Sequence, residues 1–245
     1  MENLNQTGFT DYTLEQSKAH SASKSFFANV FLWMFGALAL STVFAFIFAS
    51  NQELFQYLVT PKGLSPLGMA VMFSPIVFVL LMSFGFQRLS PVAMAALFLT
   101  YAAINGIAFS FILVVYTAGS VVGCFASAAV MFGIMAFMGY TTNKDLTSFG
   151  RILTMGLIGI IVAMVINFFL KSPMMDYLIS IIGVAVFTGL TAYDVQKLKR
   201  ISEGIEFEGT EAAGVRKLSI MGALTLYLDF INLFLMLLRL FGRRK

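Results

Sequence analysis

Two aspartates stand where hydrocarbon is expected. Asp194 closes an apolar run, Gly189-Leu190-Thr191-Ala192-Tyr193-Asp194-Val195-Gln196. Asp229 lies inside the last one, Leu226-Tyr227-Leu228-Asp229-Phe230-Ile231-Asn232-Leu233-Phe234. A lone carboxylate at the bilayer centre costs about 3 kcal/mol on insertion scales, and ionisable groups kept there are functional candidates that generally have partners. Two carboxylates that meet in a low dielectric do not readily both ionise, and the pair titrates as a unit sharing a proton. Singly protonated, such a pair is a latch closed by a short hydrogen bond. Fully ionised, it repels unless a cation enters between the oxygens. Calcium, which favours several hard oxygen ligands, suits that place. Asp194 and Asp229 are therefore candidate pH-sensing, gating and metal-contacting residues. Asn232, three residues after Asp229, shares its helix face. Tyr193, Tyr227, Thr191 and Thr225 offer hydroxyls, and Arg88 could reach a carboxylate by bending inward.

Plainer readings stay open beside this one. Asp194 can be an interfacial acid near Lys197 and Lys199, and Asp229 a structural hydrogen-bond acceptor to a neighbouring helix. Arg88 can be an ordinary interfacial anchor. Asn105 and Asn167 read better as glue between helices than as the lining of a pathway.

The elements that must position these groups follow from composition. The chain is 59% hydrophobic and 11% charged, with a mean hydropathy of +0.87. Soluble domains carry roughly a quarter charged residues, so this is an integral membrane protein whose first partner is the lipid bilayer. Its 27 Phe and 15 Met read as lipid-facing and bundle-packing surface. The single cysteine, Cys124, makes no disulfide within the chain and no metal site alone; it reads as a small core residue. The only histidine, His20, lies in the polar tail, which excludes an intramembrane histidine relay. A net charge of +4 needs no nucleic acid, because basic cytoplasmic loops produce the same bias.

Residues 1–25 form a polar tail, disordered or lying on a surface, and lack the charge pattern of a secretory signal. Residues 26–241 hold the membrane domain, and 242–245 a basic C-terminal tail. Runs of the roughly 20 apolar residues needed to cross a bilayer occur at Phe26–Ala49, Leu67–Gln87, Val92–Val115, Ser120–Tyr140, Ile152–Leu170, Met175–Asp194 and Leu218–Leu240. These predict an all-α protein with seven transmembrane helices, since the runs lack the alternation of barrel strands. The break at Thr117-Ala118-Gly119 carries no charge and leaves a merged or re-entrant segment open. Pro75 should kink the second span. The largest predicted loop, Lys197 to Lys217, contains Glu203, Glu206, Glu208 and Glu211. Gly119/Gly123 and Gly133/Gly139 allow close helix approach.

Ten of the sixteen Lys and Arg fall on one face, which places that face and the N-terminus in the cytoplasm. The tail Arg243-Arg244-Lys245 then lies outside, so either a late basic tail is overruled or the last span is not a full crossing. Asp229 is eleven residues beyond Leu218, about 16 Å along a helix and near the midplane. Asp194, three residues before Lys197, is shallower unless the sixth span continues past Arg200.

The two aspartate segments, with Leu237-Leu238-Arg239 after the second, resemble the two best-marked motifs of the transmembrane Bax inhibitor motif family, in a bacterial form. The resemblance implies seven helices with the last enclosed by the other six, and a pH-sensitive calcium leak gated by Asp194 and Asp229. The family's arginine on the second helix corresponds to Arg88, although no acidic residue lies between Leu67 and Arg88 to accompany it. The compact form suits a bacterial inner membrane. No nucleotide motif or cofactor is implied, and calcium is the permeant or bound ion. Family members are also linked with a second role, binding and restraining a membrane partner such as a quality-control protease or death-pathway factor; residues 1–25 and the acidic loop would be the contact surfaces.

Enzymes fit poorly. An intramembrane aspartyl protease also pairs Tyr-Asp with a second Asp, but it needs a Gly-x-Gly-Asp turn, and Leu226, Tyr227 and Leu228 precede Asp229. A rhomboid-type protease needs a membrane histidine, and a retinal protein a buried lysine.

Overall fold

The fold is that of a computed structural model, which describes the backbone of residues 3–61, 63–208 and 212–245 and the side chains of 25–61, 63–204 and 213–245. The elements in chain order are α1 (Asn3–Ser50), α2 (Gln52–Gln56), β1 (Val59–Thr60), β2 (Gly63–Leu64), α3 (Pro66–Gly85), α4 (Pro91–Val115), α5 (Ala118–Thr141), α6 (Thr147–Leu170), α7 (Pro173–Glu208) and α8 (Ala212–Phe241). Seven of these helices are long and apolar enough to cross a membrane. The protein is an all-α integral membrane protein.

Local chemistry sets the helix starts. Ser65 Oγ accepts from Gly68 N at 2.9 Å and Ser90 Oγ from Ala93 N at 3.2 Å. Each serine precedes a proline at the first helical position, where the missing N–H costs nothing. Lys171 adopts a left-handed conformation at φ 50° and ends α6. The first loop carries a feature the hydropathy did not reveal, a short antiparallel hairpin pairing Val59 with Leu64 and Thr60 with Gly63. The uncharged break is a true turn: α4 ends at Val115 and α5 starts at Ala118.

Three sequence expectations are corrected. The polar tail continues α1 as helix from Asn3, since no proline interrupts it and a helix already nucleated propagates cheaply. The predicted loop from Lys197 to Lys217 is helical on both sides, with α7 running to Glu208 and α8 beginning at Ala212. Leu198 and Ser202 are buried there, so packing holds the extension. Of the four glycines named for close approach, Gly119, Gly123 and Gly133 face open space, while a Cβ at Gly139 would strike the carbonyl oxygen of Ala192. The partner-binding surfaces fall largely outside the described residues: the side chains of 1–24, His20 among them, and those of Glu206, Glu208 and Glu211. Pro75 lies within α3, which continues past it.

The helix at the centre is α8. In its apolar window 72% of residues are buried, against 17% in α3 and in α6. It packs on α1, α4, α5 and α7, while α3 lies against α4 and α6 against α7. The immediate wall is thus four helices, with the other two in an outer layer. On α1 the buried residues Phe26, Val30, Met34, Ala37, Leu38, Ser41 and Ala45 form one stripe at helical spacing. Leu32, Phe35, Phe46, Phe84 and Phe168 point outward, as lipid contact requires. Cys124 is buried, as the sequence suggested.

The C-terminal tail folds onto the turn between α4 and α5. Thr117 N donates to Arg243 O and Lys245 N to Val115 O, both at 2.9 Å, and Arg243 N donates to Ser120 Oγ at 2.9 Å. The last helix therefore crosses the whole bundle and finishes at the α4–α5 end.

Candidate functional site

Asp194 reaches the interior because α7 is longer than its hydropathy suggests. It lies fourteen residues before Glu208, where α7 ends, which is about 21 Å of helix. Two close approaches seat this part of α7. Gly139 lets the α5 backbone meet Ala192, and the face of Gly150 on α6 receives the ring of Tyr193. Thr191, Ala192, Val195 and Gln196 are buried around Asp194, which is itself half-buried.

Asp229 is 5% exposed and sits in the most enclosed helix. Its carboxyl faces that of Asp194 within hydrogen-bonding reach. Its Oδ2 is buried with no hydrogen-bond partner. An acceptor buried without a donor is costly, so a proton or a cation placed there would relieve it. Lys197, one turn after Asp194, is the cation that acts on Asp194, and it is exposed. Among the described residues no third His, Cys, Asp or Glu joins the pair to make a metal-holding group.

The supporting residues divide. Asn232 is on the Asp229 face, but its Nδ2 donates to Leu228 O on its own helix at 2.8 Å. Tyr193 packs against α6, away from the pair. Tyr227, fully buried, is two residues from Asp229 and so on the opposite side of α8. There its hydroxyl lies 2.8 Å from Ser41 Oγ and accepts from Asn105 Nδ2 at 3.2 Å. Asn105 Nδ2 also reaches the Tyr101 hydroxyl at 3.1 Å, and Ser41 Oγ donates to Ala102 O at 2.7 Å. These bonds tie α1, α4 and α8 together in a buried polar girdle. Asn105 is helix glue, as its isolated polarity suggested. Ser41 and Tyr101 were not singled out in the sequence, where their only signal is a polar atom within an apolar run.

Arg88 is not brought to the carboxylates. Helix α3 stops at Gly85, so Arg88 is carried on the following turn and is exposed. Lys217 ties that turn to α8 instead, donating to Phe86 O at 2.9 Å with its ammonium 5.2 Å from the centre of the Phe86 ring.

A second cluster closes over the same end of α7. Gln196 Oε1 accepts from Leu146 N and Nε2 donates to Lys144 O, both at 2.8 Å, so one amide clamps the α5–α6 turn. One turn on, Arg200 pairs with Asp145 at 2.6 Å and donates to Thr147 Oγ1 at 2.8 Å. Hydrogen bonds from Thr147 and Arg200 hold the Asp145 carboxyl well below the usual carboxylate range. Gln196 appeared in the sequence only as the end of a motif; its two bonds cross fifty residues and more, which no local pattern reveals.

An apolar cavity of about 450 Å³ lies between α1, α5, α7 and α8. Val195 and Phe230, each next in sequence to an aspartate, line it with Phe31 and Phe132.

Comparison with known proteins places these features in a family. The family model described as inhibitor of apoptosis-promoting Bax1 matches residues 23–245. The inner membrane protein YbhL of Escherichia coli (strain K12) is 44% identical over 222 residues, covering 91% of this chain and 93% of that protein. An uncharacterized protein of Borreliella burgdorferi is 39% identical over 235 residues, covering 96% of this chain and 98% of its own length. With the match spanning all seven membrane helices and both aspartate segments, the chain belongs to the Bax inhibitor family of integral membrane proteins.

Proposed function

We propose that this protein is a pH-sensitive calcium leak in which Asp194 and Asp229 share a proton and gate the passage. The observation that supports it is the meeting of the two carboxyls at the α7–α8 interface, one of them carrying a buried oxygen without a donor. With one proton between them, the carboxyls bind each other and hold α7 to α8. When that proton leaves, two like charges face each other in a poorly solvated place, and their repulsion loosens the contact. A calcium ion entering from either bath can take the proton's position. Calcium prefers six or more oxygen ligands, and this pair offers far fewer, so the ion is a passing cargo and not a resident cofactor. The reading requires no enzyme chemistry and no other cofactor. The ring of Tyr193 and the girdle around Tyr227 serve packing in this scheme, and Arg88 takes no direct part.

By analogy with YbhL we place the protein in a bacterial inner membrane. The charge bias puts the N-terminus, the Gln196 clamp and the α7–α8 connection in the cytoplasm.

The test is purified full-length protein in liposomes loaded with a calcium dye, read across pH. Asn keeps the shape and hydrogen bonding of Asp but does not titrate. The expected result is a leak that grows as the shared proton is withdrawn, and a low, pH-independent leak in Asp194→Asn and Asp229→Asn. A wild-type pH profile in both variants would overturn the proposal.

A further inference from the structure

At the C-terminal end of the bundle, far from the aspartates, the chain gathers three cations around one carboxylate. A cavity of about 480 Å³ is lined by Lys171, Asp176, Arg239 and Arg244, with Met164 and Phe168 beside them. Pro173, at its edge, is 21 residues along α7 from Asp194, about 30 Å of helix. We propose that this cavity binds the phosphate of an anionic phospholipid.

The cations come from separate elements, and each is placed by a specific device. Lys171 sits at the left-handed end of α6. Just beyond it, Ser172 N donates to Asn167 Oδ1 at 3.0 Å, fixing the turn. Arg239 is in the last turn of α8. Arg244 is held by the tail that pairs with Tyr116, and its guanidinium lies 5.9 Å from the centre of the Tyr116 ring. Bringing three like charges to one concavity is unfavourable unless an anion joins them. Asp176 offsets one charge at most: its Oδ1 is 3.7 Å from Arg239 Nη1, with side-chain exposures of 47% and 38%. Such a loose, solvated pair contributes little, and the same Nη1 otherwise reaches only the weakly accepting Met164 sulfur at 3.8 Å, so the Arg239 guanidinium can turn to a phosphate.

The surroundings favour a lipid over phosphate from solution. Met164 and Phe168 give the cavity an apolar side, and the neighbouring Phe169 and Leu170 are exposed where acyl chains would run. Basic pockets between membrane helices at the headgroup level are suited to anionic headgroups.

Native mass spectrometry of the full-length protein tests this, with phosphatidylglycerol or phosphatidylcholine of identical acyl chains added at equal concentration. Phosphatidylglycerol should be retained in preference to phosphatidylcholine. Lys171→Gln and Arg244→Gln should each weaken its retention about five-fold, the effect of one cation near an anionic headgroup, without changing phosphatidylcholine. Arg151→Gln, at the opposite end of α6, should change neither. The two test variants lie on different elements, so a folding defect in the tail leaves Lys171→Gln as an independent measurement. Equal retention of both lipids, or an unaltered Lys171→Gln, overturns the proposal. Retention of inorganic phosphate by the lipid-free protein, with no preference between the two lipids, assigns the site to a soluble phosphate and overturns the lipid assignment.

Discussion

The hydroxyl of Tyr227 meets Ser41 Oγ at 2.8 Å across the contact between α8 and α1. Asn105 donates to the same hydroxyl at 3.2 Å. Tyr227→Phe keeps the ring and removes the oxygen, leaving Ser41 and Asn105 with one partner fewer. The expected loss is about 1 kcal/mol, the usual worth of an interhelical hydrogen bond in a membrane. Thermal unfolding in detergent should show a lower melting temperature. The pH profile of calcium leak should be unchanged, because this hydroxyl is on the far side of α8 from Asp229.

The two carboxyls should be energetically coupled. In a double-mutant cycle of Asp194→Asn and Asp229→Asn, the stability changes should depart from additivity by about 0.5–3 kcal/mol, as residues in contact do. Strict additivity in chemical unfolding would mean that the carboxyls do not act as a pair.

Gln196→Leu removes both bonds to the α5–α6 turn and leaves Leu146 N and Lys144 O without their partner. The cost should be about 1–3 kcal/mol for the polar groups left behind. Hydrogen exchange should report it locally, as faster exchange of the Leu146 amide while the amides in the middle of α8 stay protected.

Gly139→Ala places a methyl group against the Ala192 backbone. Backbone atoms do not yield as a flexible side chain does, so α5 must move away from α7. Overpacking of this kind costs about 1–3 kcal/mol. Because Ala192 is two residues from Asp194, the variant should also leak more calcium at the pH where the wild type is tight, measured in the same dye-loaded liposomes. Gly133→Ala, which meets nothing, is the control.

The Asp145–Arg200 pair gives a pH dependence of stability with a definite sign. The folded protein holds the Asp145 carboxyl below its ordinary value of 3.8, so the folded state binds this proton less readily than the unfolded state. The stabilisation is complete above that ordinary value and is lost as pH falls below it. Asp145→Asn should therefore melt lower than the wild type at pH 6, and the difference should shrink when both are measured near pH 3. A difference independent of pH would remove the ion pair as its cause.

Much of the fold was legible in the residues themselves. Long uncharged runs are dictated by the thickness of a bilayer, and Ser-Pro steps at Ser65-Pro66 and Ser90-Pro91 mark helix starts by a local mechanism, so all seven spans emerged and all but the sixth agree to within about five residues at each end. The length of α7 did not, because Lys197, Lys199 and Arg200 break the hydropathy while the buried faces of Leu198 and Ser202 continue the helix. The two aspartates stood out because charge is rare in lipid. The failures share a cause. Whether Tyr193, Tyr227 and Arg88 reach the carboxyls depends on rotation about a helix axis and on where a helix stops. Spacing along the chain fixes neither when every neighbour is apolar. Gln196 went unnoticed because its partners lie in another turn of the protein.

The innermost helix is synthesised after the six that surround it. The helices around it precede their axle in the chain, and only when α8 arrives do the two acids meet. The clasp of Arg243 and Lys245 on the α4–α5 turn follows α8 in the chain, so the pin at the axle's far end is set only once the axle itself is in place.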